Sequence, residues 1–127
     1  MKVVLDTSVI IDYLRQGGMG TGNFFLELVE QEVEMEMSAV TVAELYVGKT
    51  AQTGGKQRRK IDEIIGGVII NSPSLEMAKL VGEIRYKFKL SLQDAFVAAL
   101  AMNEDLPVVS RDKKAFGRVP GIRFYNG

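Results

Sequence analysis

The longest apolar stretch of the chain runs from Ala95 through Phe96, Val97, Ala98, Ala99, Leu100 and Ala101 to Met102, with no polar position in it. A helix that is apolar all round belongs in the middle of a core. Residues 91–103, SLQDAFVAALAMN, are therefore expected to form a central helix. Ser91 stands at its N-cap position and Asp94 falls in its first turn. That places a carboxylate at the mouth of the interior, where an anion needs a partner or a function.

The remaining pattern alternates short apolar runs with segments of helical spacing. Lys2 to Leu5 is a valine-rich run of the kind buried on both faces of a parallel sheet. Asp6 ends it, and Thr7 or Ser8 can cap a helix through about Arg15. Gln16 to Gly20 reads as a glycine-rich loop, and Thr21 as the cap of a second helix with Phe24, Phe25, Leu28 and Val29 on one face. Met35 to Val40 is expected to be a second strand despite its Glu36. A helix follows over TVAELYVGKTAQ, with Val42 and Leu45 on its packed side. Beyond the break at Thr53, Gly54 and Gly55, KQRRKIDEII makes a charged helix that has only Ile61, Ile64 and Ile65 to bury. Val68 to Ile70 is a third strand, and Pro73 opens a helix over about Leu75 to Lys89. Pro107 to Ser110 and Ile122 to Tyr125 supply a fourth and a fifth strand. Short buried strands separated by helices predict an α/β domain with a central, mostly parallel sheet of about five short strands flanked by helices.

Composition narrows the chemistry. The 127 residues, 46% hydrophobic and 25% charged, suit a single domain spanning 1–127 with a proper core. Sixteen basic and sixteen acidic residues cancel, so any polyanion site has to be a local basic patch. Cysteine and histidine are both absent. Their absence excludes disulfides, thiolate nucleophiles, imidazole acid–base pairs and sulfur- or histidine-ligated metals. What remains is carboxylates, lysines, hydroxyls, or a metal held by oxygen. No stretch approaches a membrane span, and Asp6 interrupts the amino-terminal apolar run, so a cytoplasmic protein without a membrane partner is expected.

Four acids fall at strand carboxyl ends or helix amino ends: Asp6, Glu44, Asp94 and Asp112. In a parallel α/β sheet these are one edge of the molecule, where ligands bind. Each acid also has a local explanation. Thr41 with Glu44 and Ser91 with Asp94 fit the capping box, and Asp6 and Asp112 fit turn or cap positions. Four carboxylates in one cleft repel unless positive charge compensates. A hard divalent cation with oxygen ligands, magnesium or manganese, is the natural counter-charge.

The pieces VVLDTSVIIDYL, SAVTVAELYVG, LSLQDAFVAALAM and LPVVSRDKKAF together resemble the successive signatures of the PIN domain, particularly the VapC-type toxin ribonucleases of toxin–antitoxin pairs. The resemblance spans nearly the whole chain. It implies that Asp6, Glu44, Asp94 and Asp112 form a magnesium or manganese site, with Ser8 orienting Asp6 or a bound water and Ser110 doing the same for Asp112. Capping is the alternative role for both serines. One departure stands out: many relatives carry a further aspartate before the phenylalanine of the last motif, where this chain has Ala115 before Phe116. That change bears on a second metal position and on full activity.

The resemblance also implies a reaction, hydrolysis of an RNA phosphodiester by metal-activated water, leaving a 5'-phosphate and a 3'-hydroxyl with no cyclic phosphate. Arg111, Lys113 and Lys114, with Arg118 nearby, are the candidate phosphate contacts. Lys56, Arg58, Arg59 and Lys60 are better read as a solvated helix face, because Asp62 and Glu63 follow them. A small antitoxin protein is the expected partner, together with an RNA substrate and a second copy of the chain in a homodimer to which Phe24 and Phe25 contribute unless they are core. Two other classes stay open. One is a PIN-like scaffold that binds RNA or protein without cutting. The other is a phosphoaspartate-forming domain using Asp6, against which the DTS motif lacks the second aspartate of haloacid-dehalogenase-like enzymes.

Overall fold

The computed structural model describes residues 1–16 and 24–125. Of the expected loop over residues 16–20, Gln16 instead ends the first helix, and the rest, with the cap at Thr21, lies outside the described residues. In chain order the elements are β1 (Lys2–Leu5), α1 (Thr7–Gln16), α2 (Phe24–Glu30), β2 (Glu34–Ser38), α3 (Ala39–Val47), α4 (Lys49–Gln52), α5 (Gly55–Gly66), β3 (Ile69–Asn71), α6 (Leu75–Phe88), α7 (Leu92–Glu104), β4 (Val108–Val109) and α8 (Lys113–Phe116). The four strands form one sheet in the order β3-β2-β1-β4, every pair parallel. The expected fifth strand contributes a single parallel bridge, Phe124 to Val108, flanked by hydrogen bonds from Val108 N to Arg123 O and from Tyr125 N to Val108 O.

This order fixes where a site can form. From β1 the chain steps outward to β2 and β3, then returns to place β4 on the other side of β1. The reversal opens a crevice beyond the carboxyl ends of β1 and β4. Alternation along β1 sends Val4 to one face and Val3 and Leu5 to the other. Val4 and Val108 pack with α6 and α7, while Val3, Leu5, Met35, Met37 and Val109 pack with Val9, Ile10, Leu28 and Leu45. Helix α7 is the central helix foreseen from its composition: Ala95, Val97, Ala98, Ala99, Leu100 and Ala101 are buried. Leu100→Ala should cost about 2–5 kcal/mol, since the cavity left is walled by packed neighbours. Among the described residues no helix is long and apolar enough to cross a membrane.

Three local expectations are corrected. Helix α3 starts at Ala39 rather than Thr41, because the Ser38 hydroxyl accepts from Val40 N at 3.1 Å and caps it earlier. The strand before it ends at Ser38, and Thr41 becomes a buried helix residue whose Oγ1 has no hydrogen-bond partner among the described residues. The expected helix through Gln52 breaks at Gly48, whose extended ψ of 146° separates α3 from α4. Ser74, not Pro73, caps α6, accepting from Met77 N. Phe25 is core, its ring centroid 4.9 Å from that of Tyr13.

Glu36, the residue that weakens the reading of β2 as a strand, is 2% exposed on the α7 face. Lys2 Nζ lies 2.8 Å from it and 3.5 Å from Glu104, so the buried acid is paired rather than isolated.

Candidate active site

Asp6 is the best-held acid of the four. It directly follows β1 and is 4% exposed. Its Oδ2 accepts hydrogen bonds from Ser8 Oγ and Ser110 Oγ, both at 2.7 Å. Each serine oxygen in turn accepts from a backbone amide beyond β4: Arg111 N at 3.0 Å on Ser8, and Asp112 N at 2.8 Å on Ser110. An amide N–H can only donate and a carboxylate oxygen accepts, so each hydroxyl receives from the amide and gives its proton to Asp6. Both side-chain hydrogen bonds to this carboxylate thus fall on one oxygen, Oδ2. Both serines therefore bond the Asp6 carboxylate, and Ser110 meets Asp112 through that residue's backbone amide, the turn-capping contact that was its alternative role. Thr7 and Ser8 lie within α1 and spend their hydroxyls on acids instead of capping.

Glu44 enters from α3. It is the sixth residue of that helix, a turn later than the expected capping-box position. Its Oε1 accepts from Thr7 Oγ1 at 2.6 Å, and Gln93 Nε2 donates to the same Thr7 oxygen at 3.0 Å. A relay from α7 through α1 therefore orients Glu44. Burial pushes its carboxyl above the usual range; the Thr7 hydrogen bond opposes this, and the charges of Asp6 and Asp94 add to it.

Asp94 sits where the sequence places it, with its amide donating to Ser91 Oγ at 3.0 Å. Its carboxyl is also raised, first by burial and then by the Asp6 charge, with Asp112 adding to the shift and the Ser91 hydrogen bond and Arg118 opposing it. Asp94 is the hub of the site, electrostatically coupled to Asp6, Asp112 and Glu44 alike. Asp112 caps α8, its Oδ1 accepting from Ala115 N at 3.1 Å. Capping occupies one oxygen while the same carboxylate faces Asp94. Ala115 is itself buried against the α7 core, so position 115 supplies a methyl group and no oxygen.

The four acids thus share one edge and feel one another's charge. Among the described residues no three of them stand close enough together to enclose an ion. Their fit to a metal rests on donor chemistry: oxygen ligands only, and a local excess of negative charge that Arg118 offsets only in part at Asp94. That set matches a hard divalent ion such as magnesium or manganese.

The expected phosphate contacts divide. Arg111 donates to Asp12 Oδ2 from Nε at 3.2 Å and Nη2 at 2.7 Å and lies 4.8 Å over the Phe24 ring, so its guanidinium is engaged by α1 and α2. Lys113 and Lys114 are exposed at the start of α8, beside Asp112. The sequence marks Thr7 only as a possible helix cap and does not mark Gln93. The available signal was adjacency, since each is the chain neighbour of a candidate acid.

A parallel sheet in the order 3-2-1-4 with acids at its reversal point defines the class of fold, and a family model agrees with it. The PIN domain model matches residues 3–122, and the chain belongs to the PIN domain family. Solved structures share the fold at low identity. The chain is similar to VapBC2 from Rickettsia felis bound to a DNA fragment from its promoter, at 20% identity and TM-score 0.78, covering 100% of this chain and 99% of that one. It is similar to VapBC-1 from nontypeable Haemophilus influenzae at 21% identity and TM-score 0.76, covering 98% and 97%. A toxin–antitoxin complex from Klebsiella pneumoniae aligns at 23% identity and TM-score 0.73, covering 94% of each chain. Among curated protein sequences no match was found.

Proposed function

We propose that this PIN domain is a magnesium- or manganese-dependent endoribonuclease and the toxin of a toxin–antitoxin pair. The observation that carries the reading is the coupling of Asp94 to Asp6, Glu44 and Asp112 at the sheet reversal, with Asp6 fixed by two serines. Asp6, Asp94 and Asp112, with Glu44, would hold the ion. When bound, such an ion neutralises phosphate charge, acidifies water and stabilises the leaving oxygen. Ser8 and Ser110 keep Asp6 aimed. Glu44, raised in pKa and oriented by Thr7, is suited to position the attacking water and accept its proton. Lys113 and Lys114 take the flanking phosphates. In-line attack by water breaks the bond to the 3'-oxygen, leaving a 5'-phosphate and a 3'-hydroxyl.

The similar solved structures are toxin–antitoxin complexes of nearly equal chain length, which supports a small antitoxin as partner. A homodimer belongs to the same proposal, with Phe25 excluded from its interface by burial in the core. The competing reading is a PIN scaffold that binds RNA without cutting, favoured by the methyl group at position 115. End-group analysis of the products tests the reaction: a 5'-phosphate on the downstream fragment is expected, and a 2',3'-cyclic phosphate on the upstream fragment would rule the mechanism out.

A further inference from the structure

Helix α6 carries one face that its packing does not use. Gly82, Arg85, Tyr86 and Lys89 are spaced as successive neighbours on a helix surface, and all four are exposed. Tyr86 is 89% exposed, more than any other large hydrophobic side chain among the described residues. Gly82 supplies no side chain, and a Cβ built there would meet nothing within 4 Å. The result is a groove of about 420 Å³ walled by the Tyr86 ring, Arg85 and Lys89, with Leu90 and Leu92 at its far end.

The charge of this face is one-sided. Arg85, Lys89 and the neighbouring Arg118 take part in none of the ion pairs between described residues. Basic residues in the last turn of a helix complement its dipole, which accounts for some of this charge. It does not account for a solvent-facing tyrosine beside a side-chain-free glycine. Arg118 links the groove to the acidic edge. Arg118 Nη1 donates to Lys89 O at 3.0 Å, and the same arginine lies near enough to Asp94 to favour its carboxylate. From Lys89 the α6 face runs back about 10 Å to Gly82 at the rise of an α-helix.

We infer that this face is a binding tract for single-stranded RNA, in which Arg118, Lys89 and Arg85 hold successive phosphates and Tyr86 stacks one base over Gly82. The inference rests on the ribonuclease reading and extends it, naming where the strand lies once it leaves Asp94. Aromatic stacking demands an unpaired base, so the tract selects single strands over duplexes. Stacking is tolerant of base identity, and the tract gives grip rather than sequence preference.

The test is the affinity of the purified full chain for a short fluorescein-labelled oligouridylate, read by anisotropy in chelator so that no cleavage intervenes. Tyr86→Ala should weaken binding about 5- to 100-fold, the range found for loss of a stacked base, while Tyr86→Phe should keep wild-type affinity. Gly82→Leu, which fills the groove on a helix that accepts it, should also weaken binding while raising the melting temperature. Lys89→Gln should lower the salt slope by about 0.7, the value for one phosphate contact on a single strand. Duplex RNA of the same length should compete poorly. Wild-type affinity in both Tyr86→Ala and Gly82→Leu would overturn the tract. If those variants also cut RNA like the wild type, the ribonuclease reading survives and the tract alone fails. Tyr86-dependent binding without cleavage would leave the tract standing and remove the ribonuclease reading. A wild-type chain that neither binds nor cuts RNA refutes both.

Discussion

Ser110 Oγ donates to Asp6 Oδ2 at 2.7 Å across 104 positions of sequence, stitching the end of β4 to the end of β1. The serine's own oxygen is held by Asp112 N, so one residue ties two of the candidate acids together. Ser110→Ala removes the bond without adding bulk. Loss of one orienting hydrogen bond on a metal-site ligand should lower RNA cleavage about 10- to 100-fold. A melting-temperature loss consistent with about 1 kcal/mol should accompany it. Unchanged cleavage would mean that Ser8 alone suffices to hold Asp6.

Thr7 gives a second, independent handle. Its hydroxyl bond to Glu44 lowers a pKa that burial and neighbouring acids raise. Thr7→Val deletes the donor and should push the Glu44 pKa further up. If Glu44 acts ionised, the acidic limb of the cleavage pH profile moves to higher pH, with the plateau less affected. A limb that stays in place in Thr7→Val would remove Glu44 from the proton-transfer step.

Asp94 and Glu44 both titrate higher in the folded chain than in the unfolded one, so folding favours their protonated forms. The stability this contributes is complete below the unfolded carboxylate range, about pH 4, and is lost as pH rises through the folded values. In chelator at neutral pH the wild type therefore carries repelling carboxylates. Asp94→Asn should melt a few degrees higher there, and magnesium or manganese should raise the wild-type melting temperature more than that of the variant. An equal shift in both proteins would separate metal binding from Asp94.

At the opposite end of α7, Glu104 is raised in pKa chiefly by its hydrogen bond with Glu36, whereas Glu36 is lowered because its bonds to Glu104 and Lys2 outweigh the burial that pushes it up. Glu104 is thus the member of the pair that takes up a proton first as pH falls, and Lys2 supplies the compensating charge. Lys2→Gln should destabilise the fold, more in mildly alkaline buffer than in mildly acidic buffer, because acidification restores a neutral partner for Glu36. A loss independent of pH would show that Lys2 acts by packing alone.

Much of this site was readable from local pattern. Asp94 follows from a cap before an apolar run, and Asp6 follows from a valine strand that ends in an acid, because both signals lie within a few residues of each other. What escaped depends on contacts between distant segments. Ser38 and Thr41 are both plausible caps three residues apart, and only the register of β2 against β1 and β3 selects Ser38. Glu36 counts against a strand until Lys2 and Glu104 are seen beside it. Arg111 reads as a phosphate ligand in sequence because Asp12 and Phe24 reach it only through the fold. Gln93 and Thr7 gain their role from a hydrogen bond between α7 and α1 across 86 positions, which no spacing encodes.

Cleavage of end-labelled RNA by the wild type and by Asp94→Asn, each with magnesium, with manganese and with chelator, bears most directly on the central claim. The account predicts fragments from the wild type with either metal, none with chelator, and none from Asp94→Asn in any condition. Cutting that persists in Asp94→Asn, or that is indifferent to chelator, would place the chemistry somewhere other than these four acids.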